Sequence, residues 1–383
     1  MRSWRHAWPG LLATLDGVGL CRFAYTPLIP FMIAAGVVTE SGAAYVGAAN
    51  LAGYLAGAAL AAPVGARVGL GPAIRGAFIL SVLALAACIW SGGFWWYVAW
   101  RFVTGATGAV LMVLAPSFLL ADVEPGVRGR SGGIIYMGVG AGIALSSLLM
   151  PPLAARDVGL AWAALAFAAL LTTVLTWSRW RGGRPISRVV APSARLGAPA
   201  LLVSLAFGMD GIGFVPHMLF WVDYIARSLA LGTTAGAAQW LLFGLGAVLG
   251  PALGGAVGDM IGVGRALTLA FALKAAAVLL PALAISLPFL TVSSLIAGAF
   301  TPGIAALTAA RMTELVSPSI QTRAWGFATL VFGCFQAAGA YGMAYAYGAL
   351  GSYVPLYAAG ALFEALGAVL AATAFILSRR RRP

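Results

Sequence analysis

The sequence predicts an all-α membrane protein with twelve transmembrane helices in two pseudo-symmetric six-helix bundles. Three observations carry the prediction. Of 383 residues, 62% are hydrophobic and 9% charged, whereas a soluble domain carries about a quarter charged residues. The apolar residues come in continuous runs of about 20, the length a helix needs to cross a bilayer. A short string, Asp16-Gly17-Val18-Gly19, returns as Asp210-Gly211-Ile212-Gly213 at an offset of 194.

Continuous runs of that length exclude a β-barrel, whose strands alternate over about ten residues. Breaks at polar, glycine or proline clusters give candidate helices at 8–35, 41–65, 72–92, 94–120, 131–155, 159–178, 199–226, 234–258, 265–285, 287–310, 322–348 and 352–378. Arg2 and Arg5 ahead of the first apolar run resemble a signal peptide. Asp16 and Arg22 interrupt that run and no small-residue cleavage site follows, so a retained first span is expected.

Charge placement orients the chain. With a cytoplasmic N-terminus, eighteen Lys and Arg residues fall on the inside and two, Arg156 and Arg227, fall outside. This asymmetry is what the positive-inside rule produces, and it puts both termini in the cytoplasm of a bacterial inner membrane. The same placement turns a net charge of +13 away from nucleic acid and toward the lipid bilayer as the partner. The arginine- and proline-bearing stretch 179–198 reads as a cytoplasmic connector. It divides an N-terminal bundle, 1–178, from a C-terminal bundle, 199–383.

The halves match beyond the opening string. Gly69 pairs with Gly262, Gly105-Ala106 with Gly298-Ala299, Pro125 with Pro318, Arg130 with Arg323 and Gly133 with Gly326, all at an offset of 193. An even number of spans per half gives both copies one topology, related by an axis along the membrane normal.

Two motifs sharpen this. The loop after the second span reads Ala62-Pro63-Val64-Gly65-Ala66-Arg67-Val68-Gly69, and its second-half copy Gly255-Ala256-Val257-Gly258-Asp259-Met260-Ile261-Gly262. The fourth span carries Arg101-Phe102-Val103-Thr104-Gly105-Ala106-Thr107-Gly108. With twelve spans, a 6+6 repeat and a basic central loop, the chain resembles a major facilitator superfamily transporter along its whole length. The G-x-x-x-D-R-x-G loop signature is divided between the copies: the first keeps the arginine and the second the acid. The fifth-span antiporter signature is not met, since Gly138, Gly140 and Gly142 lack its proline. The string Arg22-Phe23-Ala24-Tyr25-Thr26-Pro27 is similar to a first-span motif of a bacterial subgroup.

A charge at mid-bilayer costs about 3 kcal/mol on insertion scales, so such residues face water or a partner. On a regular helix Arg22 shares a face with Tyr25 and Thr26, and Asp16 shares another with Gly19, Leu20 and Phe23. Arg22 is then a candidate anion-binding group and Asp16 a protonatable carboxylate, or else each is a structural pair. Asp210, Phe214, His217, Trp221 and Tyr224 step by four and three along the seventh span and form one polar-aromatic stripe. His217 is a candidate proton or substrate group. Tyr25, Asn50, Tyr54, Arg101, Trp221, Gln239 and Gln336 complete the candidate substrate lining. Asp223 and Arg227 form an i,i+4 pair expected to be solvated. The resemblance implies proton coupling through Arg101 beside an acid. Asp16 and Asp210, at equivalent depths in the two halves, are the candidate proton-coupling acids. It also implies an inner gate of Asp259, Arg130 and Arg67, and peripheral, structural positions for Lys274 and Glu364. Gly246, Gly250, Gly254 and Gly258 read as a packing seam.

No metalloprotease, hydrolase or nucleotide-binding string is present, and with two histidines and three scattered cysteines no metal site, cofactor or enzyme is expected. The expectation is a secondary active transporter, proton-coupled, moving a small organic solute by alternating access. An organic anion is favoured by Arg22 and Arg101, and no oligomer is required. The alternatives are a proton-driven multidrug efflux antiporter and a non-transporting scaffold or sensor.

Overall fold

A computed structural model describes residues 2–120, 125–181, 196–317 and 320–379. These are helical, with no strand among them. Twelve helices are long and apolar enough to cross a membrane: Ala7–Ala34, Glu40–Val68, Leu70–Ala87, Phe94–Leu119, Ile134–Ala154, Val158–Arg179, Ala198–Ser228, Gly232–Ile261, Val263–Leu283, Leu287–Leu315, Ala324–Leu350 and Val354–Arg379. They are the first to twelfth spans below.

Local chemistry sets several ends. Thr39 accepts a hydrogen bond from the Gly42 amide and starts the second span, and Asp157 caps the sixth through the Leu160 amide at 2.8 Å. Gly69 (φ 91°, ψ 152°) turns the chain between the second and third spans. Gly262 (φ 87°, ψ 139°) does the same between the eighth and ninth. Only glycine enters that backbone region without strain, so the repeat is visible in dihedral angles as well as in residue type.

The chain forms two compact units. The first comprises Met1–Arg188 and Trp221–Gly244, the second Val189–Phe220 and Leu245–Pro383. The core of the first includes Leu70, Ile74, Phe78, Leu111, Leu114 and Trp180. That of the second includes Phe207, Leu267, Phe271, Ile304 and Leu307. Large apolar side chains such as Leu148, Val174, Leu253 and Val369 are exposed, as lipid-facing residues are in a protein whose solvent is hydrocarbon.

Glycines bring the helices of each unit close. A Cβ on Gly53 or Gly57 would overlap the backbone of Phe102 or Ala106 on the fourth span. In the second unit Gly246 and Gly250 meet the tenth-span backbone at Leu295 and Ala299, while Gly254 and Gly258 face Leu307. The seam read from the four-residue spacing is therefore a helix–helix contact.

The first and seventh spans depart from the expected regular helices. The first runs as α-helix to Thr14, as π-helix over Leu15–Leu20, and as 3-10 helix over Phe23–Leu28 before α-helix resumes at Ile29. The seventh is α-helical over Ala198–Gly213, then π-helical at Pro216–Phe220 and again at Tyr224–Ser228. Helical interruptions at membrane depth persist only where other groups satisfy the freed backbone. They also rotate side chains off the 3.6-residue period, which changes the faces expected for Arg22, Asp16 and the seventh-span stripe.

Candidate functional site

The break in the first span has a clasp. Arg101 Nη1 donates to the Cys21 carbonyl at 2.6 Å and Nη2 to the Arg22 carbonyl at 3.3 Å. Asn50 Nδ2 donates to the same Cys21 carbonyl at 3.0 Å, to the Arg101 carbonyl at 3.1 Å and toward Thr104 Oγ1 at 3.0 Å. Thr104 Oγ1 in turn donates to the Arg101 carbonyl at 2.9 Å. The guanidinium lies over the Tyr25 ring at 4.6 Å, and Tyr25 Oη donates to the Ala43 carbonyl at 2.9 Å. Arg101 and Asn50 are each 1% exposed. The resemblance implied an acid beside Arg101. Its guanidinium instead donates to the Cys21 and Arg22 carbonyls and to the Thr104 hydroxyl, because the break leaves carbonyls that need donors.

The clasp fixes Arg22. Its guanidinium carbon lies 5.0 Å from the Tyr54 ring centroid and 5.3 Å from that of Phe23, within cation–π range. Phe23 continues to Trp240 at 5.9 Å, which stacks on Phe243 at 4.9 Å. Gln239, beside Trp240, is buried in the same unit. The arrangement is a buried cation walled by aromatic rings. Trp221 and Tyr224 also belong to this unit, ring to ring at 6.2 Å. The predicted seventh-span stripe thus divides, with Asp210, Phe214 and His217 in the second unit.

Asp16 turns to its own third and sixth spans. Thr172 Oγ1 donates to Asp16 Oδ2 at 2.7 Å, Cys21 Sγ to Oδ1 at 3.6 Å, and the Ser81 hydroxyl approaches the same carboxylate. No ion pair to Asp16 occurs among the described residues. The sequence placed Asp16 and Arg22 on different faces, and their partners do differ.

Asp210 turns to the ninth and twelfth spans of the second unit and meets charge. Lys274 Nζ lies 2.5 Å from Asp210 Oδ1 and 3.4 Å from Glu364 Oε1. All three side chains are at most 1% exposed. Lys274 and Glu364, assigned structural places by resemblance, are therefore the partners of a candidate proton-coupling residue. Nearby, His217 Nε2 and Ser293 Oγ are 2.8 Å apart, and Ser293 Oγ donates to the Ala277 carbonyl at 2.7 Å. A serine hydroxyl has one proton, so this geometry assigns the donated proton of the first contact to His217 Nε2. Gln336 is buried, and its Nε2 meets no acceptor among the described residues.

Asp223 and Arg227 pair as predicted, Nε to Oδ1 at 2.8 Å, but Asp223 is fully buried rather than solvated. Arg227 also pairs with Glu40 at the start of the second span, a contact sequence spacing does not signal. Arg67 and Asp259 are exposed, and the side chain of Arg130 lies outside the described residues. Cys21 and Cys88 are buried and Cys334 exposed, all as free thiols.

Both repeated halves thus carry an interrupted span with buried charge near the interruption, as membrane transporters built from repeats do. The chain belongs to the major facilitator superfamily, in the family described as "Uncharacterised MFS-type transporter YbfB", whose model matches residues 14–373. A search of curated proteins finds no match to this chain.

Proposed function

We propose that this transporter is a proton-coupled secondary carrier of a small organic anion with an apolar or aromatic body, working by alternating access in a bacterial inner membrane with both termini cytoplasmic. One observation carries the substrate class: Arg22, 8% exposed, is set on the Tyr54 and Phe23 rings at the break of the first span. A guanidinium pairs a carboxylate in two-pronged fashion, and the aromatic wall suits the remainder of such a solute. Arg101 and Asn50 serve as positioning residues, holding the backbone on either side of Arg22. Tyr25, Trp221 and Gln239 are the further proposed substrate residues of the first unit, and His217 and Gln336 those of the second. Asp16 and Asp210 are the proposed proton-handling acids, and Asp259, Arg130 and Arg67 the inner gate.

Thermal stabilisation of the purified protein by a panel of aromatic and aliphatic carboxylates, beside lipophilic cations, tests the substrate class. Carboxylates are expected to stabilise the wild-type protein, with the shift abolished by Arg22→Gln. Stabilisation by lipophilic cations that survives Arg22→Gln would instead support drug efflux, a reading the Phe23–Trp240–Phe243 wall also suits. Solute-driven proton movement in proteoliposomes then tests coupling, and its absence for every stabilising solute would defeat the carrier reading.

A further inference from the structure

We infer that the second unit contains a proton-binding site in which Glu364 and Asp210 share a single proton beside the ammonium of Lys274. The inference starts from charge. Two carboxyls and one ammonium meet in a site closed to solvent. If all were ionised the cluster would carry a net negative charge, and an uncompensated charge in a low-dielectric site is strongly disfavoured. Two carboxylates sharing one site do not both ionise readily.

Hydrogen-bond supply points the same way. Asp210 Oδ2 and Glu364 Oε2 receive no hydrogen bond among the described residues, and Glu364 Oε1 has only the longer approach of Lys274 Nζ at 3.4 Å. The two carboxyls are within hydrogen-bonding reach of each other. Two ionised carboxylates have nothing to exchange there, whereas one added proton turns the contact into a hydrogen bond. Lys274 Nζ is 2.5 Å from Asp210 and 3.4 Å from Glu364, so Asp210 is the ionised partner of the ammonium and Glu364 carries the proton.

Among the described residues, the surroundings add no second cation. The ninth span contributes Lys274, whose Nζ also faces the Phe214 ring at 5.0 Å. The twelfth contributes Glu364 and Tyr357, whose hydroxyl donates to the Pro216 carbonyl at 3.4 Å. The seventh contributes Asp210 and His217, and His217 is turned to Ser293 on the tenth span. The eleventh brings Gln336 and Phe332 against Gly211, neither of them titratable. The approach is built into the backbone: a Cβ on Gly213 would lie 2.6 Å from Glu364 Cγ and 2.7 Å from Oε1, so only glycine admits the twelfth-span acid.

Use of this proton as the coupling ion rests on the carrier reading above; its presence in the cluster does not. Infrared spectroscopy of the purified full-length protein, in an Asp16→Asn background, separates the two. At neutral pH a protonated-carboxyl stretch is expected and is lost in Glu364→Gln, which keeps the shape of the neutral acid and should fold. It is also expected to be lost in Asp210→Asn, because Lys274 and Glu364 then balance one to one. Titrating the unmutated cluster to alkaline pH should remove one such band, a reading that needs no folded variant of the triad. Identical spectra with and without Glu364→Gln, no band to titrate, or a band that survives Asp210→Asn would each overturn the shared proton. A band that behaves as stated, while the unmutated protein moves no protons with any solute, would leave the site standing and defeat the carrier reading.

Discussion

Asp16 and Asp210 occupy matching places in the repeat, and each turns to the third and sixth spans of its own half. The company each keeps is different. Asp16 meets Thr172, Cys21 and Ser81, all neutral. Asp210 meets Lys274 and Glu364. Ser81 and Lys274 stand at the repeat offset of 193, so one position holds a hydroxyl in one half and an ammonium in the other. The same fold has thus solved the burial of a carboxylate twice, by hydrogen bonding in one half and by charge balance in the other. The two solutions differ in what they tolerate. A hydroxyl cluster works with its acid charged or neutral, whereas a charge-balanced cluster tolerates only those changes that leave its remaining charges cancelled.

The largest expected effect breaks the second cluster. Lys274→Met leaves two buried acids without a cation and should lower unfolding stability by about 3–5 kcal/mol, read as a denaturation midpoint in detergent. Adding Asp210→Asn should recover part of the loss, and strict additivity of the two changes would refute the pairing. Next, Arg101→Ala removes the clasp donor to the Arg22 carbonyl and leaves the Cys21 carbonyl to Asn50 alone, at a cost of roughly 1–3 kcal/mol; a change within error would show that the clasp is dispensable. In the first cluster Thr172→Val should cost about 1 kcal/mol, less than Lys274→Met in the same assay. A larger loss there than in the second cluster would reverse the comparison. The smallest effect is at Glu40, half exposed in its pair with Arg227. Glu40→Gln should cost under about 1 kcal/mol, and the cost should fall further with added salt.

Much of this architecture is legible without coordinates. Hydropathy alone locates all twelve spans, the largest end differences being five residues: the third ends at Ala87 rather than 92, and the tenth at Leu315 rather than 310. Glycine spacing gives the eighth-span seam, and buried charge marks Asp16, Arg22, Arg101 and Asp210. What escapes is the set of partners, for two physical reasons. The π and 3-10 segments around Asp16, Arg22 and His217 shift side chains away from any face a 3.6-residue period assigns. The partners themselves are ordinary: Thr104, Thr172, Ser81 and Ser293 are hydroxyls of a kind found on every span. Backbone carbonyls such as that of Cys21 leave no trace in a sequence. Lys274 and Glu364 were visible as charges, but helix number alone places them at the periphery, which hides that they point inward at Asp210.

The clasp on the first span has a mechanical corollary. Asn50 and Arg101 knot the second and fourth spans to the interrupted backbone of the first through carbonyls that cannot be shortened or re-aimed. Those three helices are therefore tied at the depth of Arg22, and the irregular backbone of the first span lies on either side of the tie, in the π segment Leu15–Leu20 and the 3-10 segment Phe23–Leu28.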